Sequence, residues 1–279
     1  GLLKQLNKIK AEQYDIVIDC QGLLKSAVVT AFSCAKTRVG FKSARELAWL
    51  AYTHKVDYEP LINHTKPFHD SLFALSDALG CARPEVPSYP LFTPLPNPPP
   101  QGGRGQEPSK IVAIAPFTKW KSKDWPIEHW QTLIRKITAE SQAEIWVLGS
   151  QQDTENPDFK SLLKVNNKVK ALNKPISELI PAIKAVNILI AGDSFPIHLA
   201  GAVGIPHIFG LYGPTSSLRT HPPLWKSNFT AIPHTMESLS CQPCHNKACH
   251  VSGHPCMTQI LPEAVWSRIQ PLIKQDVTV

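Results

Sequence analysis

The stretches Ala113–Trp125, AIAPFTKWKSKDW, and Ala191–Ala200, AGDSFPIHLA, decide the fold of this chain. In each stretch an apolar strand pattern ends in a polar turn, and the turn opens a helix pattern. Parallel α/β sheets bind phosphate-bearing ligands at the carboxyl ends of their strands, where helix N-termini present unpaired backbone N–H groups. The two stretches therefore predict a parallel α/β sheet that binds a nucleotide-like anion at this edge.

The composition is typical of a globular protein with an anionic partner. The chain has 279 residues, of which 43% are hydrophobic, enough for one large or two ordinary domains. Its net charge of +7 favours a nucleotide, a phosphorylated lipid headgroup or a nucleic acid as partner. No apolar run approaches the roughly 18 to 20 residues of a membrane helix, and no signal-peptide pattern opens the chain, which favours the cytoplasm.

A run rich in Pro and Gly, Thr93–Pro108, divides the chain. Because Pro favours extended backbone and Gly adds freedom, the run predicts an interdomain linker, with a long surface loop inside one domain as the alternative. The predicted organisation is a first domain over 1–92, a linker over 93–108 and a second domain over 109–279. The second domain ends in a Cys-rich segment and a terminal helix.

Apolar strand patterns alternate with helix patterns on both sides of this run, which predicts doubly wound parallel sheets. The first domain opens in a helix pattern and holds few strands, so it is expected to be incomplete at its N-terminal side. The predicted elements before the run are strands 14–20 and 37–41 and helices 22–33, 43–53 and 68–79. After it come strands 111–115, 143–148, 169–172, 187–191, 207–211 and 229–232, and a helix over 126–140.

The turn after strand 111–115 carries Thr118 and three lysines beside a helix that begins near Pro126. The hydroxyl of Thr118 can hydrogen-bond a phosphate oxygen, and the ammonium of Lys123 can neutralise it. The alternative is an ordinary solvated basic loop.

The turn after strand 187–191 carries Asp193, Ser194 and, one helical turn later, His198. Either Asp193 or Ser194 can cap the helix, which is a sufficient structural reason for an acidic residue there. A third strand ends just before Gly149, and the turn after it carries Asp153, which can accept hydrogen bonds from ribose hydroxyls. Convergence at one sheet edge favours the functional interpretation of these side chains.

These residues resemble the ADP-heptose:lipopolysaccharide heptosyltransferases of glycosyltransferase family 9. The resemblance implies a GT-B fold of two Rossmann-like domains, with the donor ADP-heptose on the second and the lipopolysaccharide inner-core acceptor on the first. The segments that carry it are YDIVIDCQGLLKSA (14–27), SARELAWLAY (43–52), TKWKSKDWP (118–126), VLGSQQD (147–153), GDSFPIHLAG (192–201) and LYGPTSS (211–217).

The resemblance also implies roles for particular residues. Donor-binding positions are Thr118 and Lys123 at the phosphates, Asp153 on the adenosine side, and Asp193, Ser194 and His198 in the Asp-(Ser/Thr)-…-His motif. Lys25 and Arg45 lie in motifs that face the phosphorylated acceptor.

The family chemistry is inverting transfer without a metal or other cofactor, in which Lys123 stabilises the departing diphosphate. Two positions depart from the family pattern. Phe195 stands where the family usually has Gly. The family's proposed catalytic Asp, in an N-terminal Gly-Asp loop, has no visible equivalent in this sequence. We therefore expect a chain that is truncated at its N-terminal side, has lost most or all transferase activity and retains donor affinity.

Four cysteines, Cys241, Cys244, Cys249 and Cys256, form a C-x2-C-x4-C-x6-C cluster with three interleaved histidines. Four thiols at this density can close a tetrahedral zinc site in a reducing compartment, and free or redox-active thiols are the alternative. The remaining cysteines, Cys20, Cys34 and Cys81, fall in apolar patterns and are predicted to be buried.

Two alternative functions remain at this point. One is a GT-B transferase that uses another nucleotide sugar, because a phosphate site does not read the base. The other is a nucleic-acid-binding module built on the Cys/His cluster. Two features argue against it: the basic residues are dispersed along the chain, and no aromatic residues are interleaved with them. For the transferase, we expect no nucleic-acid partner and a cytoplasmic location. Its lipid-linked acceptor and positive charge imply peripheral contact with the anionic inner face of the inner membrane.

Overall fold

The computed structural model describes residues 1–58, 66–82, 109–222, 227–232 and 239–274. The chain divides into two compact units, Gly1–Glu85 and Val86–Val279. The predicted linker 93–108 lies outside the described residues, so the proposed domain limits stay a prediction. Within the described ranges, no helix combines the length and the apolar character needed to cross a bilayer.

The first unit contains a parallel sheet of three described strands in the order β1-β2-β3. Buried side chains from β2 and a following helix, Val39, Phe41 and Leu75, form one small core. The strands are β1 (Ile16–Asp19), β2 (Thr37–Phe41) and β3 (His54–Val56), and the helices are α1 (Leu2–Ala11), α2 (Leu24–Phe32) and α3 (Phe68–Asp77).

The helix predicted over 43–53 is wrong for most of its length, because only Ala48–Ala51 forms a short 3₁₀ helix. Glu46 and Leu47 both have positive φ angles, 55° and 60°, which interrupt any right-handed helix. Strand β3 follows almost at once and was not predicted, since three residues are too few to show an alternating pattern.

The predicted burial of Cys20, Cys34 and Cys81 is also wrong, because all three are exposed. Cys20 directly follows β1, which lies at the edge of the described sheet. Cys34 has a left-handed φ of 55° just after α2, and Cys81 follows the left-handed Gly80. Each thiol therefore lies just after an element or after the turn that follows it, and an apolar sequence context did not indicate burial there.

The second unit is a six-stranded parallel sheet in the order β6-β5-β4-β7-β8-β9. The chain runs outward from β4 to β6, returns to the other side of β4, and continues outward from β7 to β9. The strands are β4 (Ile111–Ala115), β5 (Glu144–Leu148), β6 (Val169–Leu172), β7 (Ile188–Gly192), β8 (His207–Leu211) and β9 (Asn228–Ile232). The predicted doubly wound α/β class is confirmed, with its topological switch point between β4 and β7.

Alternate residues of each central strand enter separate cores on the two faces of this sheet. In β4, Val112 and Ile114 pack in one core with α4, α5 and α10, whereas Ala113 and Ala115 pack in the other with α6 and α7. Helices on both faces explain why the strands are apolar throughout. The helices are α4 (Ile127–Glu140), α5 (Pro157–Leu163), α6 (Ile176–Ile183), α7 (Phe195–Val203), α8 (Ser217–Thr220), α9 (Pro255–Thr258) and α10 (Pro262–Lys274).

Candidate functional site

The turn after β4 is closed by its own polar side chains. Thr118 Oγ1 lies within hydrogen-bond distance of Trp120 O, at 2.7 Å, and of Asp124 Oδ1, at 2.9 Å. The backbone N–H of Thr118 donates to the same carboxylate oxygen at 3.0 Å. A 3₁₀ helix, Lys121–Lys123, follows inside this turn. The predicted basic turn is thus an ordered structure, and Asp124 holds its two ends together.

Lys123 extends from this turn across the switch point to the end of β7. Its Nζ donates to Asp193 Oδ2 at 2.8 Å and to the Asp193 carbonyl at 3.1 Å. The side chains are 15% and 6% exposed, so the ion pair is largely removed from water. Nζ also lies 4.5 Å from the centroid of the Trp120 ring, a distance that allows a cation–π contact.

The prediction that Asp193 or Ser194 caps α7 through its side chain is wrong. Ser194 occupies the N-cap position, but no side chain caps the helix. The Asp193 carboxylate is engaged by Lys123, and Ser194 Oγ donates to Gly192 O at 3.2 Å. The start of α7 therefore keeps backbone N–H groups that no side chain satisfies.

Gly192 permits the close approach of the two turns. A Cβ at this position would lie 3.1 Å from Lys123 O and 3.2 Å from Thr118 Cγ2, tighter than ordinary contact. The structure thus brings Thr118, Lys123 and Asp193 together at the switch point, as their positions at neighbouring strand ends predicted.

His198 lies on α7 with its Nε2 4.0 Å from Asp193 Oδ1. Burial lowers the pKa of His198, the charge of Asp193 opposes this, and the charges of Lys123 and His221 lower it further. The imidazole is therefore held mainly neutral at neutral pH, next to the buried ion pair.

Asp153 lies apart from this group, at the end of β5. Its Oδ2 accepts hydrogen bonds from the N–H and the hydroxyl of Ser150, each at 2.7 Å, and closes the loop that follows the strand. In the described part of the chain, no hydrogen bond or ion pair joins Asp153 to Lys123 or Asp193. Since β5 is the neighbour of β4, Asp153 occupies the same sheet edge one strand further out.

In the first unit, the loop after β1 is built on a buried carboxylate that the sequence did not single out. Asp19, 4% exposed, accepts hydrogen bonds from the N–H groups of Gln21 and Gly22 at 2.9 and 3.0 Å. The hydroxyl of Tyr52 donates to its second oxygen at 2.7 Å. Burial, this hydrogen bond and the Asp19 charge raise the pKa of Tyr52.

Lys25 and Arg45, the predicted acceptor-side residues, are both exposed. Their segments are joined by two hydrogen bonds, from Arg45 N to Gly22 O and from Leu24 N to Glu46 Oε2, each 3.0 Å long. The carboxylate of Glu46 lies at the N-terminus of α2, where a negative charge is favourable. The structure therefore places the two basic residues on adjoining segments of one surface.

The Cys-rich segment, residues 241–256, packs on the turn that carries Lys123. Ser122 donates its N–H to Lys247 O at 3.2 Å and its hydroxyl to Asn246 O. His254 Nε2 lies 2.8 Å from Ser122 O, and because a carbonyl only accepts, this nitrogen carries the proton. Sequence reasoning missed this contact, whose residues are 132 positions apart.

The four cysteines of this segment are free thiols. Burial, followed by the charges of Cys249, Cys244 and Cys241, raises the pKa of Cys256 to about 11. Across the described ranges, which include all four, no three or more His, Cys, Asp or Glu side chains are arranged to hold a metal ion. Zinc binding by these four cysteines therefore stays a prediction, with free or redox-active thiols as the alternative.

A doubly wound sheet with a basic, helix-flanked turn at its switch point is the architecture of the Rossmann class of α/β proteins, many of which bind nucleotides there. The chain belongs to glycosyltransferase family 9 (heptosyltransferase), whose model matches residues 2–254. It is 28% identical over 171 residues to lipooligosaccharide heptosyltransferase 2 of Campylobacter jejuni, covering 60% of this chain and 52% of that protein. It is 31% identical to lipopolysaccharide heptosyltransferase 1 of Escherichia coli K12, covering 74% and 63%. The chain thus spans between half and two thirds of these relatives.

Solved structures share the fold at low sequence identity. Escherichia coli heptosyltransferase WaaC with ADP has a TM-score of 0.69 at 23% identity, over 95% of this chain and 75% of that one. Escherichia coli ADP-heptose lps heptosyltransferase II has a TM-score of 0.66 at 18% identity, over 99% and 81%. The predicted GT-B fold with Rossmann-like α/β units is confirmed.

Proposed function

We propose that this chain carries the donor site of a glycosyltransferase that moves heptose from ADP-heptose to the inner core of lipopolysaccharide, with inversion and without a metal. The observation that carries the proposal is the convergence of Thr118, Lys123 and Asp193 at the switch point of a family 9 sheet. The relatives' names supply the sugar and the acceptor.

The donor's diphosphate fits the electrostatics at the start of α7. Lys123 supplies a positive charge, and the helix start, which no side chain caps, supplies the backbone N–H of Phe195. Pro196 has no N–H, and the N–H of Ile197 donates to Ser194 O. Asp193 holds the ammonium in place through two hydrogen bonds, so little reorganisation is needed when the ligand arrives. During transfer these groups stabilise the negative charge of the departing ADP, while Ser194 and His198 line the same turn.

The assignment of Asp153 follows from its position along the sheet edge, and those of Lys25 and Arg45 follow from their exposure and charge. Asp153, one strand beyond β4, is in place to accept hydrogen bonds from the adenosine ribose. In the first unit, the exposed Lys25 and Arg45 suit phosphate groups on an inner-core acceptor, because cations bind phosphate through charge-assisted hydrogen bonds. The lipid-linked acceptor and the net charge of +7 support peripheral binding to an anionic membrane surface.

Calorimetric titration of the chain with ADP, ADP-heptose, UDP-glucose and GDP-mannose tests the donor assignment. We expect ADP and ADP-heptose to bind and the other two to bind at least tenfold more weakly. A chain that prefers UDP- or GDP-sugars has another donor, and one that binds oligonucleotides more tightly than any nucleotide sugar contradicts the proposal.

Transfer is tested by mass spectrometry of heptose-free lipopolysaccharide incubated with the chain and ADP-heptose. Because no equivalent of the family's catalytic Asp is visible in this sequence, we expect the chain to bind ADP-heptose but to add little or no heptose. Robust addition of one heptosyl unit that Lys123→Met abolishes would overturn the expected loss of activity. Flotation with vesicles that contain anionic lipid, compared with neutral vesicles, tests membrane contact.

A further inference from the structure

A cavity of about 310 Å³ lies at the carboxyl ends of β8 and β9. It is lined by residues of the LYGPTSS stretch, which follows β8, by the end of β9 and by the start of the Cys-rich segment. Its volume is at the lower end of the range of about 300 to 1,000 Å³ that is usual for small-molecule sites. None of the side chains assigned to the proposed phosphate site lines this cavity.

Thr215, which lines this cavity, has a buried hydroxyl that is not hydrogen-bonded within the described part of the chain. The residue is 6% exposed, and its Oγ1 has no hydrogen-bond partner in the described part of the chain. Buried hydroxyls are almost always paired, since an unpaired one has lost its hydrogen bonds to water without replacing them. A ligand hydroxyl in the cavity would complete this group.

The lining is neutral and amphipathic. Hydroxyls come from Tyr212, Thr215, Ser216 and Ser217, and apolar surface comes from residues such as Leu218 and Ala231. The described lining residues include no Lys, Arg, His, Asp or Glu, so none of them supplies a charge that would bind a phosphate. A sugar ring matches this surface, because it offers hydroxyls at its rim and C–H groups on its faces.

The cavity adjoins the proposed phosphate site. Gly192 of β7 pairs with Leu211 of β8, so Asp193 and Tyr212 follow directly from paired positions on neighbouring strands. Parallel strands lie about 4.8 Å apart. Burial and then the charge of Asp193 raise the pKa of Tyr212, which agrees with this proximity and keeps the phenol protonated.

The order along the sheet edge is then Asp153 at β5, Thr118 and Lys123 at β4, Asp193 at β7, and the cavity at β8 and β9. This order matches adenosine, diphosphate and sugar in a nucleotide sugar. Building on the proposed function, we infer that the cavity lined by Tyr212, Thr215 and Ala231 binds the sugar ring of the donor, with Thr215 Oγ1 hydrogen-bonded to one of its hydroxyls.

Calorimetry with two cavity variants, Thr215→Val and Ala231→Leu, tests the inference. Thr215→Val keeps the shape of the side chain and removes its hydroxyl, so we expect ADP-heptose to bind about fivefold more weakly, as for one lost hydrogen bond. Ala231→Leu fills the cavity and weakens ADP-heptose binding further. Both variants bind ADP as the parent chain does, which also shows that they are folded. The matched control is Thr132→Val on α4, outside the cavity, which changes neither affinity.

Three outcomes overturn the inference. The first is parental ADP-heptose affinity in both cavity variants. The second is an equal loss of ADP affinity, which would mean that the cavity acts on the nucleotide and not on the sugar. The third is a loss confined to a neutral inner-core oligosaccharide, which would make the cavity an acceptor subsite.

Saturation-transfer NMR with free heptose separates this inference from the proposed function. If the parent chain binds neither ADP nor ADP-heptose, the proposed function fails. Heptose signals that appear with the parent chain and Thr132→Val but vanish with Thr215→Val and Ala231→Leu still support a sugar site in the cavity. If the parent chain gives no saturation-transfer signals from heptose, the inference of a sugar site in the cavity is overturned.

Discussion

Lys123 and Asp193 form a buried ion pair that ties the turn after β4 to the turn after β7, with 2.8 Å between Nζ and Oδ2. The two residues are 70 positions apart in sequence and belong to the two strands that flank the switch point. The pair therefore supports both the fold and the proposed phosphate site.

Removing both partners should cost less stability than the sum of the two single removals. Lys123→Met leaves a carboxylate buried without its cation, and we expect a loss of about 3 kcal/mol in the free energy of unfolding. Asp193→Asn should also destabilise, and the double variant should lose less than the sum of the single losses, because the unpaired charge is gone. Urea denaturation of the three variants and the parent measures this, and strictly additive losses would contradict a direct coupling.

His254 should act on nucleotide binding through the backbone of the Lys121–Lys123 turn. Its Nε2–H donates to Ser122 O, and the loss of that bond in His254→Ala should weaken ADP binding about fivefold, corresponding to ~1 kcal/mol. His254→Gln places an amide N–H near the same carbonyl and should restore most of the affinity. The residue has a left-handed φ of 49°, a strain that Ala and Gln share, so their difference reports the hydrogen bond. Equal affinities for ADP in the two variants would assign His254 a purely structural role.

Tyr52 should stabilise the loop after β1 by satisfying Asp19. In Tyr52→Phe the buried Oδ2 loses its donor, which should cost about 1 to 3 kcal/mol of stability. The amides of Gln21 and Gly22, which bond the other carboxylate oxygen, should exchange faster with solvent. Tyr14→Phe, at a tyrosine that is 48% exposed, is the matched control. Hydrogen exchange that is unchanged in Tyr52→Phe and equal to that of the control would remove Tyr52 from this role.

His198 should make ADP binding dependent on pH. Its pKa is lowered by burial and by the neighbouring positive charges, so the free chain holds it neutral above its depressed pKa. A bound diphosphate favours imidazolium and raises that pKa, so binding should be coupled to proton uptake. Affinity for ADP should therefore rise as pH falls from 7.5 towards 5.5, and the rise should be steeper than in His198→Gln. This variant is the control, because the protonation of ADP itself affects both proteins equally. Identical slopes in titrations of the two proteins would show that His198 does not sense the ligand.

Low pH should have the opposite effect on folding stability: the protonation of His198 that favours ADP binding should destabilise the folded chain. An unfolded histidine titrates near 6.5, above the depressed pKa of folded His198. As pH falls through this window the unfolded chain takes up a proton first, so the stability from neutral His198 is complete above about pH 6.5 and declines below it. His198→Gln should flatten this decline in denaturation measured between pH 7.5 and 5. A decline as steep as that of the parent chain would assign it to other groups.

The alternation of apolar strands with helices, and the polar turns at Thr118 and Asp193, were sufficient to predict the doubly wound class and the approach of Thr118, Lys123 and Asp193 to one another. These features are local, because hydrophobic periodicity and turn chemistry act over a few residues. The irregular stretch around Glu46 and Leu47 resembled a helix in its apolar spacing. Its positive φ angles, in a segment that is hydrogen-bonded to Gly22 and Leu24, were not visible in that spacing.

The sequence by itself determined which residue types stand at the strand ends, and hence the fold class and the family. Only the tertiary structure decided what those side chains do: Asp193 binds Lys123 and does not cap α7, Asp19 is the buried anchor of a loop, and His254 holds Ser122 from 132 residues away. The physical reason is that a carboxylate or an imidazole takes whichever donor or acceptor the packed sheet and helices bring within about 3 Å. Those distances are fixed by the packing of elements far apart in the chain, which no local pattern encodes.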